Sequence, residues 1–376
     1  MLDGGAHGAA DLAAVNRVPV PQPATTQPTV CFVASRLGEP DGVSVAAAAW
    51  QAAFGRLGFL TCTVAGAGAA DLVVPGLALD APAPPSAAEL EAAVEGVDLV
   101  VVENICSLPL NRGAAELVAR CLKGRRAIQH HHDLPWQRPG FQDLGPWPPD
   151  DPSWRHVTIN ELSRLELAER GIEAITVYNS VLPPGPGDGR RARERVGLGP
   201  DQLLLLQPTR AIPRKNVPGG IRLAQALGAT YWLTGPAEDG YGPELERVLA
   251  AATCDLRLGL PEDLGIADAY EAADAVVFPS TWEGFGLPLI ESALYRKPVA
   301  AGRFPIIDEL EAFGFRWFPA DDPAPLRAWL ERPDRELLES NYALACRHFS
   351  LDTLTGRLAE VLRRAGWAGL RHQPPR

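Results

Sequence analysis

Residues 278–291 read F-P-S-T-W-E-G-F-G-L-P-L-I-E. The apolar run leading into them, 274–278 (DAVVF), has the length and β-branched content of a short buried strand, which Pro279 ends. Gly284 and Gly286 open a tight loop, and Pro288 stands at the expected first helical position, where its missing N–H costs nothing. A strand, a glycine loop and a helix start in succession leave backbone N–H groups and the positive end of a helix dipole above the loop. Such a loop receives anions, and its glycines admit a ligand close to the backbone. Glu283 and Glu291 frame it, the second in the first helical turn, and carboxylates are acceptor-only groups that suit sugar hydroxyls. The chemistry points to a phosphorylated sugar or nucleotide sugar. A common Gly-rich turn with a helix-capping glutamate produces the same local pattern.

The chain around this stretch has 376 residues, ample for two α/β domains with separate cores. A hydrophobic content of 46% and a charged content of 22% are those of a soluble globular protein. The net charge of −11 argues against a nucleic-acid or anionic-membrane partner, so an anionic ligand requires local cations. They stand at 207–217, Q-P-T-R-A-I-P-R-K-N-V, directly after the apolar run 202–207. Arg210 offers a bidentate fork and Lys215 a movable point charge, while Arg214 reads as a spare cation facing solvent. No apolar run approaches membrane-spanning length, and residues 1–16 lack the pattern of a signal peptide. The six cysteines form no C-x-x-C pair, and a reduced, cytoplasmic setting is expected.

Strand patterns at 29–34, 59–64, 98–102, 126–129, 156–160 and 172–177 alternate with helical ones. A second series follows at 202–207, 231–234, 256–258, 274–278, 298–301 and 315–318. The fold class is therefore α/β, two Rossmann-like doubly wound domains. The expected organisation is an arm over 1–28, a first domain over 29–181, a linker over 182–201 and a second domain over 202–348. A closing segment, 349–376, carries an apolar stripe at 351, 354, 358, 361 and 362. The linker is placed by L-P-P-G-P-G-D-G-R-R at 182–191, stiff then flexible. Residues 139–155, rich in Pro and Trp, read as a long loop and a possible acceptor lid. Gly66-Ala67-Gly68-Ala69-Ala70-Asp71 imitates a dinucleotide fingerprint, but Asp71 stands where the third glycine belongs. Three consecutive histidines, His130, His131 and His132, end a strand. Extended side chains alternate faces, so His131 points away from the other two, and no metal site is expected.

The string E-G-F-G-L-P-x-x-E resembles the E-x7-E signature of the retaining family-4 glycosyltransferases, and the resemblance extends over about 29–365. It implies the glycosyltransferase-B fold and transfer of a hexose from a nucleoside diphosphate sugar to an acceptor hydroxyl, with retention, no cofactor and no metal. The final helix would then return to the first domain. Arg210 and Lys215 correspond to the family's diphosphate-binding and catalytic pair. Gly42 corresponds to a glycine against the donor phosphate, or is a plain turn glycine. His132, followed by Asp133, matches the "HD" whose histidine approaches the transferred sugar and assists catalysis. Glu283, Gly284, Phe285 and Gly286 would hold the sugar, with Glu283 among the catalytic groups, while Glu291 takes the ribose and Leu260 the base. Glu103, Asp133, Trp136 and Arg138 are acceptor-pocket candidates, with packing under the loop as the alternative for Trp136. The expected partners are a nucleotide sugar and an unidentified acceptor. A sugar-nucleotide epimerase and a catalytically silent nucleotide-sugar-binding subunit remain alternatives.

Overall fold

A computed structural model describes residues 27–368 and 370, apart from 40, 139, 143, 183 and 184. The expected arm lies outside the described residues except at 27 and 28. Strands β1 (Thr29–Leu37), β2 (Leu60–Gly68), β3 (Leu72–Val73), β4 (Leu99–Glu103), β5 (Ala127–His131), β6 (Trp154–Thr158) and β7 (Ala174–Thr176) build the first sheet. Its order is β3-β2-β1-β4-β5-β6-β7, and its pairs are parallel. Helices α1 (Gly42–Arg56), α2 (Ala87–Ala93), α3 (Arg112–Cys121) and α4 (Glu161–Ala168) make crossovers. Helices on both faces explain why β4 and β5 are buried at every position and read as continuous runs.

The second half repeats the plan. Its chain runs α5 (Gly189–Arg195), β8 (Leu204–Gln207), α6 (Val217–Leu227), β9 (Thr230–Leu233), α7 (Gly242–Ala250), β10 (Leu256–Leu258), α8 (Ile266–Ala272) and β11 (Ala275–Phe278). Then come α9 (Leu287–Leu294), β12 (Val299–Ala301), α10 (Ile307–Ala312), β13 (Phe318–Pro319), α11 (Pro323–Glu331), α12 (Arg335–His348) and α13 (Leu351–Arg364). The sheet order is β10-β9-β8-β11-β12-β13. Strand order therefore reverses between β1 and β4 in one sheet and between β8 and β11 in the other. Ligands of doubly wound proteins bind beyond the carboxyl ends of strands at such points.

Three sequence expectations change. Two glycines of the expected flexible linker are docked: a Cβ on Gly187 would stand 2.3 Å from the Ala267 carbonyl oxygen, and one on Gly189 2.6 Å from the Glu271 backbone. Glycine there allows α5 to lie against α8, where Arg193 also pairs with Asp274 at 2.6 Å. β2 continues through the false fingerprint because a Cβ on Gly66 would meet the Ala78 backbone at 2.0 Å, so only a bare strand fits. The 315–318 strand shrinks to β13, since Phe315 and Trp317 stack on each other at 5.1 Å instead of pairing along the sheet. Helices α11 and α12 were not foreseen, although Asp322 before Pro323 and Asp334 both cap them as an N-terminal signal should.

Helix α13 packs its stripe on the first sheet. Leu354, Leu358, Val361 and Leu362 are buried with Phe32, Trp50 and Phe54, so the chain's end closes the core of its beginning. Leu358→Ala should cost about 2–5 kcal/mol through the cavity it leaves. Urea denaturation would measure this, and a loss below about 1 kcal/mol would show that the helix contributes little there.

Candidate active site

The β8 loop is a folded cation carrier. Gln207 at the strand end donates from Nε2 to the Lys215 carbonyl at 3.0 Å and accepts from the Tyr231 hydroxyl at 2.7 Å. Asn216, left-handed at φ 50°, caps α6 and donates to the Pro279 carbonyl at 3.0 Å, tying this loop to the one after β11. The result brings Lys215 Nζ to 2.6 Å from Glu283 Oε1 and Arg214 Nη1 to 2.7 Å from Glu283 Oε2. Arg214 is thus a functional neighbour of Glu283, not a solvent-facing spare. Glu283 is 5% exposed. Its burial opposes ionisation, but the charges of Lys215 and Arg214 outweigh this and hold its pKa below the usual carboxylate value. Burial pushes Lys215 down, against the pull of Glu283. Arg210 lies near enough for its charge to act on Lys215, and it donates to Glu238 at 2.5 Å.

The β11 loop leaves backbone N–H groups unpartnered: among the described residues, no acceptor faces those of Gly284, Phe285, Gly286 or Leu287. Gly286 caps α9 at φ 94°, a conformation that favours glycine. The Phe285 ring is buried against Phe349 at 5.5 Å, which leaves its backbone for contact. Pro288 is the second helical residue, and Glu291 the fifth, one residue deeper than expected and just past the first turn. Glu291 accepts from the Tyr270 hydroxyl at 2.7 Å, and burial raises its pKa despite that bond. Leu260 packs on the core beside this region, and a Cβ added to Gly42 would lie 3.9 Å from Leu287, so the α1 start faces the α9 start.

The two domains meet at this loop. A Cβ on Gly284 would sit 2.7 Å from the His132 carbonyl oxygen, and Asn160 Nδ2 donates to the Gly284 carbonyl at 2.6 Å. Glu309 of α10 accepts from the N–H groups of Glu161 and Leu162, both at 2.9 Å, and from the Tyr178 hydroxyl at 3.1 Å. That places a carboxylate of the second domain on the N-terminus of α4, where the helix dipole favours it. The Trp282 ring lies near two guanidiniums, Arg138 at 4.7 Å and Arg214 at 5.8 Å, and Arg138 pairs with Asp133 at 3.0 Å. Asn160, Glu309 and Trp282 carry no motif, which is why the sequence did not single them out.

Beneath this contact lies the histidine run. His130 on β5 and His132 just beyond it both reach Glu103, with His130 Nδ1 and His132 Nε2 each 2.8 Å from Oε2. His131 turns the other way, as alternation requires. It bonds Ser107 Oγ at 2.6 Å and His156 at 2.8 Å, and His156 continues to Asp150 at 3.0 Å. That chain and Trp147, donating to the Ser107 carbonyl at 3.1 Å, fasten the loop read as a lid. Glu103 is 1% exposed, with Oε2 shared by the two imidazoles, so it faces the interior and not an acceptor as expected. Trp136 also departs from the acceptor role: its Nε1 donates to Glu166 at 2.8 Å and Arg170 covers its ring at 3.5 Å. Glu103, His130 and His132 hold three ligand-type atoms within 4.8 Å of one another. Their 2.8 Å separations onto a single oxygen are hydrogen-bond distances.

Two doubly wound sheets meeting over clustered cations and carboxylates form the glycosyltransferase-B architecture. The family model described as "Glycosyl transferases group 1" matches residues 190–324. Mannosylglucosylglycerate synthase of Thermotoga maritima is 26% identical over 337 residues, 73% of this chain and 77% of that protein. D-inositol 3-phosphate glycosyltransferase 2 of Catenulispora acidiphila is 37% identical over 191 residues, which span 41% of this chain and 44% of that one. The solved structure of Anabaena HepE in complex with UDP and glucose superposes with a TM-score of 0.69 at 17% identity, over 90% of this chain and 100% of that chain. Residues 190–324 therefore match a group 1 glycosyltransferase domain, and the chain has the glycosyltransferase-B fold. No helix among the described residues is long and apolar enough to cross a membrane.

The buried carboxylates give a pH prediction. Burial alone would raise Glu103, but His130 and His132 outweigh it and bring it from an ordinary 4.5 to about 2. A folded-state pKa below the unfolded value adds stability that is present above the unfolded value and lost as pH falls through the folded one. Stability should therefore decline steeply from about pH 4.5 toward pH 2, and less so in Glu103→Gln, as denaturant titrations at stepped pH would measure. Identical slopes for the two proteins would contradict the assignment.

Proposed function

We propose that the protein transfers a hexose from a nucleoside diphosphate sugar to an acceptor hydroxyl with retention of anomeric configuration and without a metal. The observation that carries this reading is the junction of Lys215, Arg214 and Glu283 beside the free N–H groups of the α9 start. The barrier to glycosyl transfer lies in separating a diphosphate from an oxocarbenium-like sugar. Lys215, Arg214, Arg210 and the N–H groups of Phe285 and Gly286 stabilise the charge that builds on the leaving oxygens. One such preorganised donor is worth about 10²–10³ in rate. Three cations beside the diphosphate take the part a divalent ion plays in other nucleotide-sugar enzymes.

Glu283, oriented by its two cations, accepts hydrogen bonds from the sugar hydroxyls. Glu291, held by Tyr270, does the same for the ribose, with Leu260 beside the base. His132 and Asp133 approach the sugar from the first domain, and Arg138 lines the acceptor side. The departing phosphate takes the acceptor proton on the face it leaves, which retains configuration. HepE is described with UDP and glucose, which puts UDP first among the diphosphates to try.

Thermal shift with UDP, GDP, ADP and TDP in EDTA tests the donor site, with NAD as control. A ligand at 100 times its dissociation constant adds roughly 2.7 kcal/mol of stability. One diphosphate should stand out, and its shift should shrink in Lys215→Ala and Glu291→Ala. A shift by NAD alone, or one that requires added Mg²⁺, would contradict the proposal. His132→Ala should lower turnover more than donor affinity, as single-turnover and binding assays on one preparation would separate.

A further inference from the structure

The end of β4 holds His132, the residue that follows β5, by two separate grips. Glu103 takes the ring, at 2.8 Å from His132 Nε2. Asn104 takes the backbone, its Oδ1 accepting from the N–H of His132 at 3.0 Å and of Asp133 at 3.1 Å. Asn104 adopts φ 63° to do so, a left-handed conformation uncommon outside glycine. The third side is closed by Gly284, whose missing Cβ lets the donor-side loop lie against the His132 carbonyl. His130 stacks on Trp50 at 4.0 Å and gives its Nδ1 to the same Glu103 oxygen, which fixes the carboxylate in turn.

An ionised carboxylate only accepts, so the ring nitrogens that face Glu103 must carry protons. His132 then has its proton on Nε2. Its Nδ1, which has no partner among the described residues, carries the lone pair when the ring is neutral. We infer that Glu103 and Asn104 are positioning residues that lock His132 in the Nε2–H tautomer and present Nδ1 as a hydrogen-bond acceptor to a sugar hydroxyl. The inference rests on the transferase reading for the hydroxyl, while the tautomer itself is independent of any substrate. The same dipeptide thus explains why Glu103, polar and at a strand end, serves the site without meeting the acceptor.

The test begins on the full-length wild-type protein with ¹⁵N-labelled histidine, the His132 signals being assigned by comparison with His132→Gln. A bare Nδ1 and a protonated Nε2 are expected, and the opposite tautomer would overturn the inference. Glu103→Gln keeps the volume but offers an amide that can donate, so the tautomer preference should be lost. Turnover should then fall about 10–100-fold with donor KM nearly unchanged, as for loss of other residues that orient a functional imidazole. Glu103→Asp, which retains the charge, should recover part of that loss. Unchanged turnover in a folded Glu103→Gln protein would overturn the positioning role, as would equal loss of kcat and donor affinity, which a structural role predicts. If Glu103→Gln does not fold, Asn104→Gly, which suits the left-handed backbone and removes only the amide grip, should show the same split between kcat and KM. A wild-type protein that binds no nucleoside diphosphate would sink the transferase reading, and the histidine spectrum would still decide the tautomer.

Discussion

One buried carboxylate organises the loops at the strand ends of the second domain. Glu283 is enclosed, ionised and gripped by Lys215 and Arg214, which come from a loop on the neighbouring strand. A charge removed from water survives only with such partners. The pairing therefore forces the β8 loop to fold over the β11 loop, and Asn216 and Gln207 make the hydrogen bonds that let it do so. Taking one partner away would leave an uncompensated charge in the interior, so the group stands or falls as a unit.

The same loop sets how the domains meet. Gly284 has no Cβ because the backbone of His132 occupies that space, and Asn160 and Glu309 fasten the contact from either side. A hexose between these loops would touch Glu283 from one domain and His132 from the other. On the proposed reading, the sugar would be handled by both domains and the nucleotide end by the second domain alone. That division accounts for a family match confined to residues 190–324 on a fold that extends over nearly the whole chain.

Much of this was legible in the chain. Strand and helix alternation specified two doubly wound domains, and the loop 283–286 and the basic run 210–215 stood out as the two loops that meet at Glu283, because local spacing encodes strand ends and helix starts. Long-range packing was not legible. Arg214 looked like a surface cation because nothing local shows that Glu283, 69 residues away, faces it. Glu103 looked like a cleft residue by its strand-end position, yet its cross-strand neighbour His130 and nearby His132 draw it inside. Gly187 and Gly189 looked like part of a flexible linker because close approach of α8 leaves no mark beyond the glycines themselves.

The account places the leaving diphosphate and the entering hydroxyl on one face of the sugar, with the cations gathered by Glu283 beneath the phosphate. The direct measurement is the anomeric configuration of the first sugar released. Donor is turned over at high protein concentration in water, and proton NMR is recorded before the free sugar mutarotates. The account predicts the configuration of the donor. An inverted sugar would require a nucleophile on the opposite face, and would contradict it.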